Sequence, residues 1–258
     1  MPYKYIDISY HQGVIDWVAV KPQIDGAILR AGYGAGNVDK QFTRNVTECN
    51  RLGIPVGVYW FSYAYTVDMA RAEAAHCLAA IKPYRIELPV CYDFEYDSVT
   101  YAAKQGAKIN KAKATALVHA FCEEVERAGY YAANYANQDY LANYFADSTL
   151  TYDLWYARWP EKPDLDKPPR TCGIWQYSER GAVDGIKGYV DINAAYKDYP
   201  AVIKAAGLNG LGKKAEPAPW YKAAQDWVKA QGIHDGTEPD KAVTRAEVWA
   251  MLHKMSKE

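Results

Sequence analysis

The residues best placed to do chemistry are carboxylates set into apolar strands. The sequence Leu88-Pro89-Val90-Cys91-Tyr92-Asp93-Phe94-Glu95-Tyr96-Asp97 is an apolar run that ends in acids. Side chains alternate between the faces of a strand, so Asp93 and Glu95 share one face. Their Cα atoms then lie roughly 6.6 Å apart at about 3.3 Å rise per residue. Two crowded carboxyls cannot both ionise easily. One stays protonated and serves as a general acid, while its ionised neighbour stabilises developing positive charge. An ordinary solvated strand end explains a lone Asp-x-Glu equally well, so the rest of the chain has to decide. Asp7 sits inside the short apolar strand Lys4-Tyr5-Ile6-Asp7-Ile8-Ser9, and Asp191 lies in Tyr189-Val190-Asp191-Ile192-Asn193. With Asp93 and Glu95, they fall at or near strand ends.

The elements that must hold these acids follow in order. A first strand covers residues 4–9. A turn at Tyr10-His11-Gln12-Gly13 leads to a short helix with Asp16 as its cap. With no second histidine at metal spacing, His11 reads as a loop hydrogen-bonder. A second strand, 26–34, runs into Gly32, Gly34 and Gly36, whose spacing is not that of a dinucleotide loop, so they read as turn residues. Phe42, Val46, Cys49 and Leu52 recur at helical spacing and Gly53 ends that helix. A third strand covers 55–64. Asp68 is the expected cap of an alanine-rich helix over 69–81. The fourth strand, 88–95, is followed by a polar stretch, 96–109, which reads as a rim loop. Asn110 caps a helix with Ala114, Leu117, Val118, Phe121 and Val125 inward, stopped at Gly129. A fifth strand at 130–137 and a short helix at 139–145 precede three strands without intervening helices, at 152–159, 172–178 and 188–193. The alternation predicts a parallel α/β fold, and eight strands is the number that closes a barrel. Active sites of such barrels lie at the C-terminal ends of the strands.

Composition narrows the function classes. The chain has 258 residues and a net charge of -1, which gives no field to gather nucleic acid or an anionic membrane. The 23 Tyr and 8 Trp, against 5 Phe, suit a surface of flat apolar faces with hydrogen-bonding tips, as sugar sites require. Core and rim packing must account for many of them. Cys49, Cys77, Cys91, Cys122 and Cys172 are odd in number and form no Cys-x-x-Cys pair, so they read as reduced core residues. The first residues show no charged-then-apolar export pattern, and no apolar run approaches ~18 residues. The expectation is a chain that stays in the producing cytoplasm and does not enter a membrane.

Taken together, five blocks resemble glycoside hydrolase family 25, the N-acetylmuramidase lysozymes of phages and bacteria. They are Tyr5 to Trp17, Leu29-Arg30-Ala31-Gly32-Tyr33-Gly34, Gly57-Val58-Tyr59-Trp60-Phe61, the Asp93-Phe94-Glu95 strand, and Ile174-Trp175-Gln176-Tyr177 with Gly185 to Asn193. Any one is weak, but in order across residues 1 to about 196 the set is specific. The resemblance implies a modified TIM-like (βα)5(β)3 barrel that hydrolyses the β-1,4 bond between N-acetylmuramic acid and N-acetylglucosamine, with no metal or cofactor. Carried over by motif, Glu95 looks like the general acid. Asp93 looks like its partner, orienting the muramic acid acetamido group, and Asp7 and Asp191 look like flanking carboxylates. Tyr63, Tyr135 and Trp155, near strand ends, are candidates to line the glycan groove, and Gln176 to donate to an acetamido group. Carboxyls about 5–5.5 Å apart imply retention through an enzyme nucleophile, and about 6.5–9.5 Å imply inversion. Strand neighbours reach either range, and the resemblance favours attack by the acetamido oxygen of the substrate. A non-catalytic wall-binding protein on a decayed barrel would be expected to lose Asp93 or Glu95, and both are intact. A chitinase-type barrel needs spaced Asp residues where this chain has Leu88 to Tyr92.

The C-terminal stretch has its own organisation. Residues 206–218 have linker composition, rich in Gly, Lys and Pro. Beyond them Trp220, Ala223, Ala224, Trp227 and Val228 form a helical stripe ending at Gly232. Val243-Thr244-Arg245-Ala246-Glu247 opens a second helix through a capping box. The module 219–258 resembles a single S-layer homology repeat, which implies binding to a secondary wall polymer. One hairpin of this size has little core of its own, so homo-oligomerisation through it, or packing on the barrel, is expected. The whole resembles a phage endolysin held in the host cytoplasm until a holin opens the membrane. A host autolysin is the alternative, which the missing export pattern disfavours.

Overall fold

The computed structural model of the chain describes residues 1–212, 226–232 and 248. The chain divides into two compact units, residues 1–212 and 213–258. The first unit has nine strands: β1 (Tyr3–Ile8), β2 (Gly26–Tyr33), β3 (Asn37–Val38), β4 (Val56–Phe61), β5 (Val90–Asp93), β6 (Ala132–Asn137), β7 (Asp153–Ala157), β8 (Ile174–Gly181) and β9 (Val190–Ala195). Its helices are α1 (Trp17–Val20), α2 (Phe42–Leu52), α3 (Val67–Ile81), α4 (Tyr96–Lys104), α5 (Lys111–Arg127) and α6 (Tyr199–Ala205). Eight strands close on themselves in the order β1-β2-β4-β5-β6-β7-β8-β9, with β9 returning to β1. The short β3 only folds back on β2. This is the expected modified TIM-like barrel, with helices concentrated in its first two thirds.

Strand alternation builds two cores. On β1, Ile6 and Ile8 face the outer layer, where they join Val58, Trp60, Val90, Tyr92, Leu117 and Phe121 between strands and helices. Tyr5 faces the barrel interior with Ile28, Cys91, Ala133, Tyr135 and Trp155. The same period of two carries Asp7 and Asp93 inward at the C-terminal ends of β1 and β5. Four of the cysteines are buried, Cys172 is half-buried, and all five are free. Among the described residues, no helix is long and apolar enough to cross a membrane.

The structure corrects several expectations. The sheet is mixed rather than parallel, because β9 runs antiparallel to both β8 and β1. No helix separates β8 from β9, and a short connection can only join antiparallel strands. Asp191 therefore lies at the start of β9, yet on the same rim as the C-terminal ends of the other strands. Gly32 is a strand residue, not a turn: a Cβ there would sit 2.4 Å from the Trp60 ring and from the Asn37 carbonyl oxygen. Only Gly34 and Gly36 turn the chain, with φ of 53° and 89°. Thr66, not Asp68, caps α3, its Oγ1 accepting from the Met69 amide at 3.3 Å. Asp68 sits in the first turn, where its charge suits the helix dipole. The supposed rim loop after Glu95 contains α4, which buries only Ser98 and Ala102 and so has almost no apolar stripe to read. The short helix after β6 is a π-helical turn at Tyr140–Tyr144.

The stretch from residue 206 to 212 is not linker. Leu208 and Leu211 pack with Tyr199 and Ile203 of α6 against the interior cluster, closing the end of the barrel away from the acids. Asn209 locks this plug. Its Nδ2 donates to the Leu88 carbonyl at 3.1 Å, and its Oδ1 accepts from the Tyr131 amide at 2.8 Å. In the second unit, residues 226–230 are helical and Gly232, at φ 64°, donates to the Lys229 carbonyl. The remainder of the stripe and the capping-box segment Val243 to Glu247 lie outside the described residues. Asn209→Ala strands a buried carbonyl and a buried amide and places alanine at φ 53°. It is expected to destabilise the first unit by about 2–4 kcal/mol, measured by urea unfolding of the full chain.

Candidate active site

The rim of the barrel gathers four carboxyls in one cavity of about 290 Å³, lined by Asp7, Asp93, Glu95 and Asp191 together with Arg30, Tyr59, Tyr135, Trp155, Trp159 and Gln176. Asp7 is brought by β1 and Asp93 by β5. Glu95 follows two residues on, still in extended backbone at φ -128°, and forms the N-cap of α4. Its own amide accepts no strain from this: the N–H donates to Ser98 Oγ at 3.0 Å. Asp191 pairs directly across from Asp7 where β9 meets β1.

Amide side chains fix one pair of acids. Asp7 Oδ2 accepts from Asn193 Nδ2 at 2.8 Å and from Gln176 Nε2 at 3.0 Å. Those two amides are themselves held. Trp155 Nε1 donates to Asn193 Oδ1 at 2.7 Å, and Gln176 Oε1 accepts from Tyr135 Oη at 3.1 Å and Trp159 Nε1 at 3.2 Å. The amide ends cannot flip without breaking these bonds, so Asp7 receives donors only. Asp191 completes the set by a hydrogen bond to Asp7.

The electrostatics follow from crowding in a dry place. Burial raises the Asp7 carboxyl above the usual range, against its three hydrogen bonds, which favour the ionised form. Asp191 is pushed up to about 8, first by burial, then by the Asp7 charge and by the bond it makes to Asp7. Asp93 lies well above the usual carboxylate range because of burial, the Glu95 charge and its hydrogen bond to Glu95, with Arg30 pulling the other way. Glu95 is also raised by burial, but the bond from Asp93 lowers it. All four carboxyls are thus held above the usual carboxylate range, and each pair, Asp7 with Asp191 and Asp93 with Glu95, titrates as a unit that shares a proton. Arg30 is itself half-neutralised: its Nε donates to Asp39 Oδ2 at 2.8 Å.

Of the eight residues singled out by sequence, seven line this cavity. Tyr63 does not. It belongs to an adjoining basin of about 360 Å³ with Tyr10, Tyr33, Lys40 and Asp97, which shares His11, Arg30 and Phe61 with the first. Trp155 and Gln176 are more buried than a groove wall needs, and their polar atoms are occupied in fixing Asp7. Asn193, Arg30 and Tyr59 were missed. Asn193 follows Asp191 by two residues, the same alternation that flagged Asp93 and Glu95. Arg30 is a charge inside an apolar strand, the signal that flagged Asp7.

With this geometry in place, the comparison with known sequences is decisive: the sequence model of glycosyl hydrolases family 25 matches residues 6–186. The chain belongs to that family. Among solved structures, the family 25 barrel is similar to the modular autolysin LytC of Streptococcus pneumoniae, at 31% identity and a TM-score of 0.65, over 75% of this chain and 46% of the autolysin. That autolysin has also been solved with a synthetic peptidoglycan ligand. A family 25 glycosyl hydrolase from Bacillus anthracis is 26% identical with a TM-score of 0.64, over 82% of this chain and 94% of that one. The uncharacterized protein YegX of Escherichia coli strain K12 is 28% identical over 200 residues, 73% of this chain and 67% of YegX. The chain thus spans less than half the length of the autolysin.

The raised acids make stability depend on pH. Between about 4 and 8 the unfolded Asp191 is ionised while the folded one holds its proton, so the native state binds more protons and stability falls as pH rises through that window. At constant ionic strength, the melting temperature of the wild type is expected to decline from pH 5 to pH 8.5. Asp191→Asn is expected to decline less steeply, as read by circular dichroism.

Proposed function

We propose that the chain is an N-acetylmuramidase, cleaving the β-1,4 bond between N-acetylmuramic acid and N-acetylglucosamine in peptidoglycan. The supporting observation is the four-carboxyl cluster at the rim of a family 25 barrel, with Asp7 and Asp93 buried and Glu95 and Asp191 half-buried. Glu95 is the general acid and base, Asp93 orients the acetamido group, and Asp7 and Asp191 hold the charge of the site. The motif places Asp93 and Glu95 as the family's acid and its partner, and the two carboxyls interact directly. That supports attack by the acetamido oxygen of the substrate and retention of configuration.

The shared proton supplies the acid. Asp93 lines the cavity beside Glu95, where an acetamido N–H of the substrate would meet its carboxyl. A donor on Asp93 favours its ionised form, and sugar over Glu95 removes water and favours its neutral form. Substrate binding therefore draws the shared proton toward Glu95, where the leaving oxygen takes it. As the acetamido oxygen closes on the anomeric carbon, ionised Asp93 stabilises the charge on the acetamido nitrogen. Glu95 then takes a proton from the water that opens the ring intermediate.

The wider role belongs to the same proposal: a phage endolysin that waits in the host cytoplasm, with residues 1–205 as the expected catalytic part and 219–258 as a wall-polymer-binding or self-associating module. The S-layer-like residues support it, and a host autolysin is the alternative. Glu95→Gln is expected to lower reducing-end release from purified Gram-positive peptidoglycan by about 10²–10⁴-fold. Mass spectrometry of wild-type fragments should show reducing muramic acid ends, and a proton-NMR time course should show the retained anomer first. Retained binding with no release by the wild type would favour a wall-binding protein instead.

A further inference from the structure

Outside the carboxyl cluster, α3 carries a buried acid that the chemistry above does not use. Glu73 is 2% exposed, and burial pushes its carboxyl up to about 7 against the bonds it receives. A buried carboxylate is costly unless donors surround it, and here they come from one place, the turn that ends β4. Ser62 Oγ donates to Glu73 Oε2 at 2.5 Å, and the Tyr63 amide donates to Oε1 at 2.9 Å. The Ala64 amide donates to Ser62 Oγ at 3.1 Å and so holds the hydroxyl that Glu73 grips.

This anchor is linked to β5 by two further bonds. Ser62 Oγ, having given its proton to Glu73, accepts from Tyr92 Oη at 2.9 Å. The Ser62 amide donates to the Asp93 carbonyl oxygen at 2.7 Å. The barrel ladder between β4 and β5 ends with Phe61 opposite Asp93, so these two bonds extend strand pairing one residue past the ladder, at the position where the catalytic pair begins. Tyr63, held by its amide, stands with its ring in the wall of the second basin.

We propose that Glu73 is a positioning residue for catalysis: by clamping the turn Ser62–Ala64 it sets the height of Asp93 on the rim and the place of Tyr63 in the groove. The proposal rests on the muramidase reading for its kinetic consequence, though not for its geometry. A displacement of about 1 Å at a reacting group can cost up to 10²-fold in rate. The carboxylate has no path to the substrate itself, so its removal acts on turnover through Asp93 and only weakly on binding through Tyr63.

The test compares full-length wild type with Glu73→Ala, Glu73→Gln and Ser62→Ala. Glutamine keeps one acceptor for the Tyr63 amide, and its amide group can donate to Ser62 Oγ, which then donates to Tyr92. Glu73→Ala is expected to lower kcat for reducing-end release by 10- to 100-fold with KM changed less than 3-fold, and Glu73→Gln to recover kcat to within about 5-fold of wild type. Ser62→Ala, which cuts the link but leaves the carboxylate on the turn, should lose several-fold in kcat. Hydrogen exchange by mass spectrometry should show lost protection at residues 60–65 and at 90–95 in Glu73→Ala. A folded Glu73→Ala with wild-type kcat, or lost protection confined to 60–65, overturns the proposal. If Glu73→Ala does not fold, unchanged kcat in Ser62→Ala overturns it. An inactive wild type would instead sink the muramidase reading, and the exchange at 90–95 then decides the clamp by itself.

Discussion

Mutual repulsion among buried carboxyls is the constraint on which the rest of the molecule depends. Asp7, Asp93, Glu95 and Asp191 meet in one cavity, an arrangement in which four ionised groups would repel one another strongly. Sharing two protons halves the charge. The amides of Asn193 and Gln176 then satisfy Asp7, and the indole and phenol groups behind them keep those amides in one orientation. Much of the aromatic content near the site thus serves to orient hydrogen-bond donors rather than to grip sugar. The rigid closed sheet is what holds the acids at separations they would not choose.

Strand periodicity made a large part of this visible in the sequence. Asp93 and Glu95 two apart, and Asp7 inside an apolar strand, follow directly from side-chain alternation, and the inward set in the structure is the set that alternation selects. Helix ends marked by Asp16, Asn110, Gly53 and Gly129 were legible because capping chemistry is local. What was not legible depended on distant partners. Gly32 looks like any turn glycine until Trp60 is laid over it. The direction of β9 is set by the lack of a helix before it, and the helix α4 is hidden because its exposed, polar surface carries no stripe. The stretch from 206 to 212 has linker composition, yet Asn209 and two leucines fasten it beneath the barrel.

The site also shows why motif resemblance and geometry needed each other. Motif points to Glu95 as the acid, while burial and mutual repulsion hold both members of the pair above the usual carboxylate range. The tyrosine-rich basin beside it, joined through Arg30 and Phe61, extends the cavity in one direction along the rim.

The closure of the barrel has a consequence for synthesis. Asp7 is bonded to Asn193, 186 residues away, and to Gln176, 169 residues away. A ribosome adding about 5–20 residues per second needs roughly 10–40 s between the two ends of that contact. Until the last strand is delivered the first one has no partner on that side, and its carboxylate has no amide donors. The carboxyl cluster is therefore completed late, when the final strand slots antiparallel into the gap between β8 and β1.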